Sequence, residues 1–188
     1  MVDVFEQAHA FVARWEGGLD DDPRDPGGIT HWGVCKRFLT DFYRRQASFL
    51  GSIGVMGPIT RQTIIDLTKG QAKKILKKEF WIPAFEEISK THPRIAMCAY
   101  DAAVNIGIKP SVMILQQAVG ADADGIIGPK TMAAVRGSSD ILAACGMLEM
   151  RKAYYADIVS RHPERECFSQ GWINRVNALA KEVGRYEA

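Results

Sequence analysis

The chain has 188 residues, 47% of them hydrophobic and 24% charged, and its 24 Lys and Arg against 22 Asp and Glu leave a net charge of +2. That length suits one folded domain, with room for two lobes, and the composition excludes the disordered and fibrous classes. So small a net charge gives no general attraction to nucleic acid or to an acidic membrane surface.

From the amino terminus, Val4, Ala8, Phe11, Val12 and Trp15 recur at three- and four-residue spacing and predict an amphipathic helix over 3–16, stopped by Gly17-Gly18. Asp3, Glu6, His9 and Arg14 interrupt its apolar residues. No secretory signal is therefore expected, and the chain is expected to be made in the cytoplasm. No run reaches the roughly 18 apolar residues of a membrane span, so no membrane insertion is expected either. Leu19 to Thr30 holds several aspartates, prolines and glycines and reads as a loop. A helix follows over 32–49, then a turn over 51–58 and a short helix to Leu67 capped by Thr60.

The helix predicted over 69–80 puts Lys73, Lys74, Lys77 and Lys78 on one side and Ala72, Ile75, Leu76 and Phe80 on the other, a solvated basic face over an apolar one. Helical periods recur over 93–106, 110–119, 139–161 and 168–186, and no strand of any length is expected. Cys35, Cys98, Cys145 and Cys167 lie far apart, with no metal-ligand spacing, and are expected as buried free thiols.

The chemistry concentrates between Glu16 and Val34. A glutamate at the carboxyl end of a helix faces the negative end of the macrodipole, which favours its protonated form and suits a general acid. Asp25 lies in a turn rich in backbone N–H groups and is expected to stay charged. Two carboxyl groups in opposed environments are the pattern of glycoside hydrolysis. The residues alone also allow an ordinary surface loop, or calcium bound by Asp20, Asp21, Asp22 and Asp25. The spacing of a twelve-residue calcium loop is absent, and no metal or other cofactor is expected.

Glu16-Gly17-Gly18, followed by Asp22-Pro23-Arg24-Asp25-Pro26-Gly27-Gly28-Ile29-Thr30-His31-Trp32-Gly33-Val34, resembles the signature of the glycoside hydrolase family 108 N-acetylmuramidases, the lysozyme-like group also described as secretion activators. Later segments extend the resemblance. Tyr100-Asp101-Ala102-Ala103-Val104-Asn105-Ile106-Gly107 is similar to the family's Phe-Asp-x-Ala-Val-Asn-x-Gly, and Asp124-Gly125-Ile126-Ile127-Gly128-Pro129-Lys130-Thr131 to a motif of its carboxyl-terminal peptidoglycan-binding part. Leu19 stands where the family commonly has Tyr, and His31 where it commonly has Asn.

The resemblance implies a mainly α, lysozyme-like fold with two helical lobes around a cleft and little or no β structure. Residues 1–90 would form the catalytic lobe and 91–188 the helical, peptidoglycan-binding lobe. It makes Glu16 the catalytic acid. The Glu16, Asp25, Thr30 set also resembles the Glu, Asp, Thr set of phage lysozymes, with Asp25 and Thr30 placing water, although the Asp to Thr interval is one residue shorter.

Trp32 is expected at the substrate. Asp101 and Asn105 share one helix face and either reach the cleft or tie two helices together. Trp81 and Trp172 read as core residues or as sugar-stacking ones. Asp124 to Thr131 reads as a tight turn entering a helix at Pro129.

The activity implied is cleavage of the β-1,4 bond between N-acetylmuramic acid and N-acetylglucosamine in peptidoglycan, with inversion. A lytic transglycosylase and a non-catalytic wall-binding or secretion-accessory module are the alternatives. The chain is expected to be a monomer acting at the cell wall. Release would follow the route of a bacteriophage lysin through a holin, or a secretion system.

Overall fold

The computed structural model describes residues 3–21 and 28–185. The chain is mainly α, as expected. By contacts it divides into two compact units, residues 12–79 and residues 1–11 with 80–188.

In the unit 12–79, helix α1 (Val4–Trp15) ends and a small antiparallel hairpin follows, β1 (Thr30–His31) paired with β2 (Val34–Cys35). This corrects the expectation of no strand. Two-residue strands are too short to show a period of two. The turn also carries Trp32-Gly33 instead of the Asn-Gly that marks such hairpins, yet φ is +51° at Trp32 and +77° at Gly33, and positive φ at both central residues is what a type I′ turn needs. Helix α2 (Lys36–Ser52) therefore starts later than expected, with the Cys35 thiol accepting from the Phe38 N–H as its cap. Helix α3 (Arg61–Ile65) opens on a Thr60–Thr63 capping box, and α4 (Lys69–Phe80) buries Ala72, Ile75 and Leu76 as its period predicts. Leu39, Phe42, Leu50 and Ile64 complete the core of this unit.

In the other unit, α6 (Pro93–Ile106) is buried along most of its length and packs against α5 (Pro83–Ser89), α7 (Ile108–Ala118) and α9 (Asp140–Arg161). Helix α8 (Pro129–Gly137) starts at the expected proline, and α10 (Glu166–Arg185) packs on α9. Phe5, Trp81 and Tyr100 meet edge to face with centroids 5.4–5.5 Å apart, so Trp81 is a core residue. All four cysteines are free, but only Cys98 is buried. Cys145 and Cys167 lie at the surface, a correction that follows from their place on the outer faces of α9 and α10.

Candidate active site

Glu16 is the first residue past α1, and its N–H still bonds the Val12 carbonyl at 3.0 Å. Gly17, at φ +63°, takes the left-handed conformation that ends the helix. The Glu16 side chain is half-buried and crosses the hairpin turn. A Cβ added at Gly33 would lie 2.8 Å from the Glu16 Cβ and 3.2 Å from its Oε2. Gly33 is thus required twice, by its positive φ and by the glutamate that occupies the place of its side chain.

The strands hold the rest of this site. Asp20 and Thr30 exchange two backbone hydrogen bonds of 2.8 Å, which returns the chain to the hairpin beside the end of α1. The Thr30 hydroxyl donates to the Gly28 carbonyl at 3.2 Å, leaving its oxygen lone pairs as acceptors. His31 stacks on Trp32 with centroids 4.6 Å apart, and its Nδ1 bonds the Ile64 carbonyl at 3.0 Å. The Lys69 ammonium lies over the Trp32 ring, 4.5 Å from its centroid. Trp32 adopts left-handed backbone, uncommon for a bulky residue, and these contacts hold it there. Asp21 pairs with Arg61. Asp22 and Asp25 lie outside the described residues.

Asp101 and Asn105 stand one turn apart on α6 and have different surroundings. Asp101 is 1% exposed and is held by Arg151 of α9 and by Arg175 of α10, whose Nη2 lies at 2.8 Å. Burial alone pushes this carboxyl up, but the two guanidinium groups prevail and hold it below the usual carboxylate range. The structure therefore corrects Asp101 as a sugar contact, because both its oxygens are spent in tying three helices together.

Asn105 is half-buried, and its Oδ1 accepts from the Tyr155 hydroxyl at 2.5 Å. The same hydroxyl accepts from Arg151 Nε at 2.7 Å. Burial pushes the Tyr155 phenol up, against the pull of Arg151, so it keeps its proton. Trp172 is half-buried and stacks on Tyr155 at 4.9 Å, which fixes the tyrosine ring.

Around Asp124 the role is structural. Gln116 is 1% exposed, and its Nε2 lies 2.7 Å from Asp124 Oδ1 and 3.1 Å from Thr131 Oγ1, while its Oε1 accepts from the Gly125 N–H at 2.8 Å. Sequence reading named neither Arg151 and Tyr155 nor the steric role of Gly33. The first two lie some fifty residues from their partners, whereas Gly33 stood within the Trp-Gly-Val of the quoted signature.

A mainly helical chain whose first helix delivers a half-buried glutamate onto a small hairpin is of the lysozyme-like class. The chain belongs to the Glycosyl hydrolase 108 family, whose pattern matches residues 9–107, and a predicted peptidoglycan domain matches residues 110–177. Among solved structures it is similar to Brucella abortus SagA, with 27% identity and a TM-score of 0.71 over 95% of this chain and 92% of that one. No curated protein matches. The hydrolase family and the peptidoglycan region together support a role in hydrolysing the cell wall.

Proposed function

We propose that the protein is an N-acetylmuramidase that cleaves the β-1,4 bond between N-acetylmuramic acid and N-acetylglucosamine. The observation that carries this reading is Glu16, half-buried just past α1 with its side chain laid across the glycine of a strained hairpin. Glu16 protonates the leaving glycosidic oxygen. Asp25 takes a proton from water on the opposite face of the sugar ring, and Thr30 accepts a hydrogen bond from that water, since its own proton is engaged by Gly28. This is a single displacement with inversion, for which the two carboxyl groups stand about 6.5–9.5 Å apart.

Trp32, with its ring already held by His31 and Lys69, offers an aromatic contact to the sugar. Residues 1–90 carry the cutting chemistry and 91–188 hold the wall. The protein reaches the wall through a holin or a secretion system, as a phage lysin or a secretion activator.

The test is mass spectrometry of the soluble fragments released from purified peptidoglycan by the wild type and by Glu16→Gln. Reducing N-acetylmuramic acid ends from the wild type, falling by about 10²–10⁴ in rate in a folded Glu16→Gln, are expected. Ends bearing 1,6-anhydro sugars would make the protein a lytic transglycosylase. Binding to the wall without fragments would make it a wall-binding module.

A further inference from the structure

We propose that Asn105 is a one-way hydrogen-bond donor to the acetamido carbonyl of the glycan, and that Tyr155 is the positioning residue that aims it. The inference rests on the reading of the protein as a wall glycan hydrolase. Its physical basis is the direction of a hydrogen-bond chain. An arginine guanidinium only donates, so Arg151 Nε must give its proton to the Tyr155 oxygen. The Tyr155 proton then has one acceptor among the described residues, Asn105 Oδ1. An amide whose oxygen is held in this way has a fixed orientation. Its NH₂ pole faces away from the chain and makes no hydrogen bond to a described residue.

The hydrogen-bond chain is anchored at its inner end and braced along its length. Asp101 holds Arg151 in the core, Trp172 stacks on the tyrosine ring, and the pairs Asp101/Asn105 and Arg151/Tyr155 each stand one helical turn apart on packed helices. The α6 face thus runs from a buried carboxylate to a half-buried pair of N–H donors. Such a pole is satisfied only by an acceptor: a hydroxyl must turn its own proton elsewhere to offer its oxygen, whereas an amide carbonyl is an acceptor and nothing else. On a peptidoglycan strand that group repeats on every sugar as the acetamido carbonyl, and it also occurs in the stem peptides.

The experiment measures binding of the full-length chain, in a Glu16→Gln background, to glycan strands freed of stem peptides, before and after chemical N-deacetylation. The N-acetylated strands are expected to bind about tenfold more tightly, the worth of one well-placed hydrogen bond. Asn105→Asp keeps the bond from Tyr155 but turns an acceptor outward, so the preference should disappear or invert toward the deacetylated, ammonium-bearing strands. Tyr155→Phe releases the amide and should reduce the preference severalfold, with the unfolding midpoint followed in parallel.

A folded Asn105→Asp that keeps the wild-type preference would overturn the inference while leaving the hydrolase reading intact. A variant defect seen only on strands that retain stem peptides would overturn the acetamido assignment in favour of a peptide carbonyl. A chain that neither cuts nor binds wall glycan would overturn the hydrolase reading and this inference with it.

Discussion

Residues 12–79 and the unit built on residues 80–188 hold their chemistry by opposite means. Around Glu16 the work is done by backbone: a left-handed glycine ends the helix, a turn with positive φ at two successive residues receives the carboxylate, and the ion pair nearby is exposed. Around Asn105 it is done by side chains from three helices, through an ion-pair cluster almost wholly removed from water. A site held by backbone fails when a Cβ is added. A site held by buried charge fails when a charge is removed.

The largest effect should come from Asp101→Asn, which leaves Arg151 and Arg175 buried without their carboxylate. Breaking such a cluster costs about 3–5 kcal/mol, to be read from urea unfolding. The same residue sets an acid limit. Its folded pKa lies below the unfolded value of about 3.9, so its contribution is fully present above that value and is lost as pH falls through the folded one. Wild-type stability should fall on acidification below about pH 4, and that part of the slope should be missing in Asp101→Asn.

Gly33→Ala should reverse the balance between stability and activity. Left-handed strain of about 1–2 kcal/mol is modest beside the displacement of Glu16, which should lower wall-clearing activity about 10²-fold. A Gly33→Ala that loses stability but clears walls at the wild-type rate would separate the hairpin from the chemistry. Lys69→Ala removes the ammonium over Trp32 and should cost only about 0.5–1 kcal/mol, seen as a small drop in the unfolding midpoint.

Most of the helices could be read from periodicity, because α1, α4 and α10 each turn one apolar face inward, while α6 is buried on all sides over Ile95–Ala103. The segment carrying Glu16 was legible for another reason, since so many glycines, prolines and acids in one place serve neither core nor helix. The hairpin was hidden by its brevity and by a tryptophan in a position that usually takes Asn, Asp or Gly. Asp101 was ambiguous in principle. A polar residue on a helix face reads alike whether it meets sugar or arginine, and its two arginines stand 50 and 74 residues further along the chain. Cys35 as a helix cap could not be foreseen from propensities that favour Ser, Thr, Asp and Asn there.

Gly107 ends α6 and precedes α7 at φ +92°, and it is also the last residue of the hydrolase match, three residues before the peptidoglycan match begins. The seam between the two sequence families is therefore not a seam in the structure. A chimaera that joined residues 1–107 to a foreign wall-binding segment would inherit a carboxylate stripped of its cations and an asparagine stripped of its guide. For recombination in the laboratory, the exchangeable part is not the annexed segment alone: Asp101 and Asn105 of α6 have their partners Arg151, Tyr155 and Arg175 on α9 and α10, so the three helices form one unit of exchange.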